Sequence, residues 1–236
     1  MGNSFFRFKQ FTVHQERTAM KVCTDACLFG SLLPAGNFPR ALDIGAGTGL
    51  LSLMFAQQHP QSMIDAVEID ADAALQADEN FRNSPFQNLR LVHTDIMHHA
   101  PVTGNSYDIV FSNPPFYQHH LTSANEKKNM AHHGSTLSLQ QLVAAVDRLL
   151  SRQGLFCVLL PYSRHAYFTG MAKEAGFYPQ QVYLVKQTPA HAVFRSILFL
   201  ARSKREMCME TITIREDAGG YSERFMALLK AYYLHL

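Results

Sequence analysis

The segment YDIVFSNPPFYQ, residues 107–118, holds the most specific set of chemical groups in the chain: Asn113, Pro114, Pro115 and Phe116 in succession. Two consecutive prolines cannot continue a hydrogen-bonded ladder, and they stiffen the backbone so that neighbouring carbonyls point in fixed directions. Strand termination accounts for one proline, but not for the amide before the pair or the ring after it. A side-chain oxygen and a fixed carbonyl, followed by an aromatic ring, suit an amino nitrogen borne on a planar group. Each acceptor takes one N–H, and Phe116 stacks on the plane.

A second set lies upstream. ALDIGAGTGLLSLMFA, residues 41–56, reads as a buried strand, a glycine-rich turn and a helix. Gly45, Gly47 and Gly49 remove side chains where the backbone must turn sharply and approach a ligand, and the helix presents its amide-rich N-terminus there. The glycines are spaced GxGxG rather than the GxGxxG that cradles a dinucleotide pyrophosphate. The next strand ends in AVEID, which puts Glu68 19 positions after Gly49. A carboxylate there can accept from both hydroxyls of a ribose, while Asp70 and Asp72 suit the N-terminus of the following helix. One strand later, LVHTDIM places Asp95 at another strand end, where it can accept from an adenine amino group, with the Ile96 amide beside it.

Together DIGAGTG, VEID and HTDI resemble the motifs of class I S-adenosylmethionine-dependent methyltransferases. The resemblance implies S-adenosyl-L-methionine as cofactor, with Asp43 and Gly45 near its methionine moiety, Glu68 and Ile69 at its ribose, and Asp95 and Ile96 at its adenine. The acceptor chemistry then follows. An amino nitrogen on an aromatic ring or a carbonyl has a delocalised lone pair and attacks a sulfonium methyl poorly. Held by Asn113 and Pro114, it would be positioned with that lone pair facing the methyl. A base inside a structured nucleic acid must be flipped out to reach such a site. NPPF and NPPY occur in families that methylate adenine N6, guanine N2 and glutamine N5. The tetrad therefore gives the reaction type and leaves open a guanine-N2 rRNA enzyme, a glutamine-N5 protein enzyme or a non-catalytic cofactor-binding scaffold.

FTVHQERTAMKVCTDACLFGS, residues 11–31, resembles the N-terminal motif of bacterial tRNA(Val) adenine-37 N6-methyltransferases, and the likeness continues to KQTPAHAVFRSILFLARS, residues 186–203. It implies tRNA as substrate, an N-terminal segment over 1–39 that covers the cofactor, and Gln15, Lys21, Thr24 and Asp25 near the methionine end. Cys23 stands where that family commonly has glycine. Lys127, Lys128, Arg164, Lys186 and Arg195, with the cluster Arg202, Lys204 and Arg205, are candidates for phosphate contacts. Lys127 and Lys128 carry the most weight because they follow the tetrad.

These groups need a frame. Short β-branched runs predict strands at about 40–45, 63–68, 89–93, 107–112, 154–160, 180–186 and 192–201. Helical spacing predicts helices at about 49–58, 71–83, 137–151, 163–175 and 221–233. The alternation argues for an α/β fold with a mainly parallel sheet. The last two strands, joined near Thr188, Pro189 and Ala190, form an antiparallel hairpin. That ending resembles the Rossmann-like, seven-stranded class I methyltransferase sheet. METITIRE, residues 209–216, is strand-like without a fixed place, and 117–136 reads as a loop.

With 236 residues and a net charge of only +2, one domain over 1–236 is expected, and nucleic-acid binding requires a local patch rather than bulk charge. No membrane-spanning run or signal peptide is visible, so a cytoplasmic protein is expected, with no membrane partner, and it is read as a monomer. The four cysteines have no framework spacing and read as reduced, with Cys23 and Cys27 as small apolar residues rather than metal ligands. The adjacent pairs His98/His99, His119/His120 and His132/His133 read as solvated loop positions, and no metal is expected.

Overall fold

A computed structural model describes residues 3–18, 20–101, 106–115 and 137–236. Its strands are β1 (Phe5–Arg7), β2 (Thr12–His14), β3 (Arg40–Ile44), β4 (Met63–Glu68), β5 (Leu89–His93), β6 (Tyr107–Ser112), β7 (Leu150–Pro161), β8 (Tyr178–Lys186), β9 (Val193–Ala201) and β10 (Cys208–Thr213). The helices are α1 (Thr24–Leu32), α2 (Leu50–Gln58), α3 (Ala71–Arg82), α4 (Leu139–Leu149), α5 (His165–Glu174) and α6 (Glu223–Leu229), with a 3-10 turn at Tyr162–Arg164.

The main sheet runs in the order β10-β8-β9-β7-β6-β3-β4-β5, and β1 pairs with β2 in a separate ribbon. From β7 across to β5 every pairing is parallel, which aligns the carboxyl ends of β3, β4, β5, β6 and β7 along one edge. The expected hairpin is present as β8 and β9, but β9 inserts between β7 and β8 and is antiparallel to both. The sheet has eight strands where seven were expected, because METITIRE joins it as β10, parallel to β8.

Both faces are covered, as the continuous apolar runs of the strands require. Along β7, Phe156, Val158 and Leu160 face the core under α4 and α5, whereas Cys157 and Leu159 face the core shared with α1, α2, α3 and α6. Helix α1 and the β1–β2 ribbon were missed by periodicity. Seven of nine α1 residues are buried, so the helix has no polar face from which to read a period. At the other extreme α6 is shorter than the 221–233 read from sequence.

The ribbon is seated by aromatic rings and by a distant stretch of chain. Phe8 stacks on Phe11 with centroids 4.6 Å apart. Phe8 also bridges Tyr233. The Lys9 amide donates to the Tyr232 carbonyl at 2.8 Å, and the Tyr232 hydroxyl reaches the Met54 carbonyl of α2 at 3.2 Å.

The three glycines of the turn are required for different reasons. All have positive φ, at 74°, 56° and 79° for Gly45, Gly47 and Gly49. A Cβ on Gly45 or Gly47 would meet nothing within 4 Å, but on Gly49 it would lie 2.4 Å from the Phe81 ring. Gly49, expected to give room to a ligand, instead gives room to α3. Gly49→Ala is therefore expected to combine left-handed strain of about 1–2 kcal/mol with overpacking of about 1–3 kcal/mol. Gly45→Ala carries only the first. Denaturant unfolding compares them, and equal losses would mean that Phe81 yields freely.

Candidate active site

The turn after β3 is locked to the end of β4. Gly45 and Ala46 amides both donate to the Val67 carbonyl, at 2.9 and 3.1 Å. The Glu68 carboxylate collects three more amides: Gly47 on Oε2 at 2.8 Å, and Ile69 and Asp70 on Oε1 at 2.9 Å each. Asp70 caps α3 through the Ala73 amide at 2.8 Å, as expected of it. Glu68 is thus a fixed carboxylate with lone-pair capacity remaining, which suits hydroxyl donors such as those of a ribose.

Asp43 lies deeper, fully buried at the end of β3. Its Oδ2 accepts from the Ser52 hydroxyl at 2.7 Å, while Oδ1 is buried with no partner among the described residues. Burial pushes its carboxyl up to about 7, and the nearby Glu68 charge adds to the rise. An orphaned carboxylate oxygen beside two glycines with open space over them fits the ammonium of a methionine moiety. The donor set therefore fits S-adenosylmethionine.

Asp95 and Ile96 follow β5. The Thr94 amide donates to the Glu68 carbonyl at 3.0 Å, which sets this loop beside the end of β4. Asp95 uses Oδ1 to accept the Met97 amide at 2.9 Å, so it shapes its own turn as well as facing the edge. Ile96 is buried and Ile69 exposed. The loop is gripped from α4, where the Arg148 guanidinium donates to the carbonyls of His99, Ile96 and Met97 at 2.6, 2.9 and 3.3 Å.

His99 is not the solvated loop residue read from sequence. It is buried, its Nε2 lies 2.8 Å from the Tyr107 hydroxyl, and that hydroxyl donates to Asp65 at 2.5 Å. Arg90 closes the group through Asp65 Oδ1 at 2.9 Å. Burial lowers the His99 pKa and keeps the ring neutral. His98 is exposed, as expected.

The N-terminal segment passes the glycine turn. Buried Asn80 of α3 donates to the carbonyls of His14 and Thr48, both at 2.9 Å, and accepts the His14 amide at 2.9 Å. Gln76, one helical turn earlier, accepts the amides of Glu16 and Arg17 at 3.1 and 3.3 Å. Neither residue was singled out from sequence, although both are polar on the face that buries Ala73, Ala77 and Phe81. Gln15 is spent inside the segment, accepting the Val22 amide at 2.8 Å and donating to the Asn3 carbonyl at 2.9 Å.

Asp25 is buried and paired with Arg195, Nε to Oδ2 at 2.7 Å. Two residues assigned to different ligands from sequence are thus each other's partners, joining α1 to β9. Lys21 is exposed and Thr24 half-buried. Cys23 caps α1 with an extended backbone, φ −128°, so nothing there requires glycine. Burial raises the thiols of Cys23 and Cys27 to about 12, which disfavours thiolate ligands. Among the described residues no group of three or more His, Cys, Asp or Glu is placed to hold a metal ion.

The acceptor segment leaves the sheet at the glycine turn. Ile44 pairs with Ser112, and the Ser112 hydroxyl donates to the Ile44 carbonyl at 2.8 Å. Asn113 is therefore level with Gly45, with Pro114 buried and Pro115 half-buried after it. Phe116, Lys127, Lys128 and the 117–136 segment lie outside the described residues. Of the other basic candidates, Arg164 is exposed on the same edge. Lys186 donates to the Pro189 carbonyl in its own hairpin turn. Arg202, paired with Asp147 at 2.8 Å, lies at the opposite end of β9.

Were Asp43 to take the cofactor ammonium, cofactor affinity would depend on pH. Without ligand its carboxyl is half protonated near pH 7 and increasingly so below. An ammonium partner favours the carboxylate, so binding below pH 7 must release a proton. Lowering the pH from 7 to 5.5 is expected to weaken S-adenosylmethionine binding about tenfold in calorimetry. Asp43→Asn is expected to bind more weakly with a flat profile. A flat profile in the unaltered protein would remove Asp43 from that role.

The methyltransferase small domain family model matches residues 20–157. A tRNA1(Val) (adenine(37)-N6)-methyltransferase of Dyadobacter fermentans is 42% identical over 240 residues, covering 98% of both chains. A protein of the same name from Photorhabdus laumondii is 35% identical and covers 98% of this chain and 95% of its own. Among solved structures, a predicted O-methyltransferase of Agrobacterium tumefaciens reaches a TM-score of 0.69 at 15% identity, over 88% of this chain and 96% of that one. That likeness concerns the fold, which is the Rossmann-like class I methyltransferase fold. With identity of this order sustained along nearly the whole length, and a methyltransferase small domain at its centre, the chain belongs to the tRNA1(Val) (adenine(37)-N6)-methyltransferase family.

Proposed function

We propose that this chain methylates N6 of an adenine in tRNA, adenine 37 beside the anticodon of tRNA(Val), with S-adenosylmethionine as donor. The observation that carries the reading is the seam between β3 and β6, where Ser112 is bonded to Ile44 so that Asn113 and Gly45 leave the sheet side by side. Donor and acceptor segments are thereby in register before either ligand arrives. The chain is similar to relatives named for this activity over 98% of its length. Among the described residues no helix is long and apolar enough to cross a membrane.

The cofactor supplies a methyl group on a sulfonium centre, an electrophile that needs no metal to activate it. The protein's task is to orient a poor nucleophile. The Asn113 side-chain oxygen and the Pro114 carbonyl each accept one N–H of the adenine amino group, turning its lone pair toward the methyl. Pro115 limits the freedom of the Pro114 carbonyl. Phe116 stacks on the flipped adenine. Asp43 takes the cofactor ammonium, Glu68 the ribose hydroxyls and the free oxygen of Asp95 the cofactor adenine. The N-terminal segment over 1–39, fastened at His14, Glu16 and Arg17 by Asn80 and Gln76 beside the glycine turn, covers the cofactor.

Asn113→Ala is expected to lower kcat by about 10²–10³-fold with little change in cofactor affinity. Parallel loss of both would assign Asn113 to cofactor binding. Nucleoside mass spectrometry of bulk tRNA from a strain lacking this gene, incubated with the purified protein and labelled cofactor, identifies the acceptor. Labelled N6-methyladenosine is expected. Unlabelled tRNA alongside labelled N2-methylguanosine in rRNA, or N5-methylglutamine in a release factor, would keep the chemistry and overturn the substrate.

A further inference from the structure

The 3-10 turn that follows β7 carries a group that the transfer reaction does not use. Three residues of the described chain are exposed aromatics, Phe5, Tyr162 and Tyr167, and two of them lie within the six residues YSRHAY. Tyr162 is 43% and Tyr167 51% accessible. Isolated exposed rings are ordinary on a protein surface. These two flank Arg164, which is exposed and has no ion-pair partner among the described residues.

Their position is fixed by register. β7 lies directly beside β6, with Val158 opposite Ser112. Pro161 is three residues further along β7, about 10 Å at the usual rise, on the side where Asn113 and Pro114 leave the sheet. The turn therefore forms the rim of the acceptor site. Tyr162 leans on the His165 ring at 5.8 Å, and the Tyr167 hydroxyl is bonded by Gln140 in the first turn of α4. Both rings are held in place while much of their surface remains in water.

The surrounding charge selects the partner. Residues 150–205 contain eight Lys or Arg and a single acid, Glu174, although the whole chain is only +2. Arg195 is neutralised by Asp25 and Arg202 by Asp147, whereas Arg164, between the two tyrosines at this rim, has no acidic partner among the described residues. Unpaired RNA is recognised by stacking bases on aromatic rings and guanidinium planes, with cations on the phosphates between them.

We propose that Tyr162, Arg164 and Tyr167 form a stacking platform for the unpaired nucleotides next to the methylated base. The platform rests on the tRNA reading above and extends it to the loop around the target. Tyr162→Ala and Tyr167→Ala are each expected to weaken binding of an anticodon stem-loop RNA about tenfold in fluorescence anisotropy, and Arg164→Gln to flatten its salt dependence. Tyr162→Phe is expected to bind like the unaltered protein, since the ring rather than the hydroxyl is used. S-adenosylmethionine affinity is expected to stay constant in all four, which reports that the fold is intact. Unchanged RNA affinity in the alanine variants, a phenylalanine variant as weak as the alanine one, or no binding of the stem-loop by the unaltered protein would each overturn the platform. If the unaltered protein binds the stem-loop but transfers no methyl to N6 of its adenine, the functional reading fails while the binding comparison still decides the platform.

Discussion

A carboxylate sealed in the core without a cation is the constraint around which the catalytic edge is arranged. Asp43 is wholly buried, its Oδ2 accepts from the Ser52 hydroxyl, and a second carboxylate, Glu68, lies close enough to raise its pKa. Burying such a group unpaired is unfavourable in any medium of low dielectric. The fold handles its two acids differently: Glu68 accepts three backbone amides, whereas Asp43 is left short of one donor among the described residues. A cationic ligand relieves the second acid and is repelled by nothing in the first. A buried acid short of one donor favours a positively charged group beside it.

Around this centre the loops are held by polar side chains reaching from regular elements. Asn80 ties the N-terminal segment to the glycine turn, Arg148 gathers three carbonyls of the loop after β5, and Ser112 pins the acceptor strand to β3. Each satisfies backbone groups that have no ladder of their own, so removing any one would leave unpaired polar atoms behind. The rigid sheet supplies the alignment, and these side chains carry it out to the loops.

Much of this frame was legible in the sequence. The seven strands read from β-branched runs, and Glu68 and Asp95 at strand ends, all stand where spacing put them, because alternation and turn residues are local signals. What escaped has a common cause. Helix α1 is buried on nearly every side, β10 is an edge strand whose neighbour is decided by tertiary pairing, and the Asp25–Arg195 pair joins residues 170 apart. A family resemblance suggested a ligand for Asp25 and residue type one for Arg195, since a charge reads as available until its partner is seen. His99 misled for the same reason: only the fold brings Tyr107 and Asp65 to it.

The order in which the polypeptide emerges during translation gives the packing of the β1–β2 ribbon another meaning. Residues 5–14 precede the main sheet, yet Phe8 and Lys9 find their seat on Tyr232 and Tyr233, and β9, which follows β8 in the chain, pairs between β7 and β8. Contacts spanning such distances form late. Asn80 and Gln76 can hold His14, Glu16 and Arg17 once α3 has been made, but the β1–β2 ribbon finds its aromatic seat only after Tyr232 and Tyr233. A nascent chain can therefore assemble the strands that bear Asp43 and Glu68 well before the ribbon is seated, so completion of the N-terminal packing is tied to synthesis of sequence far downstream.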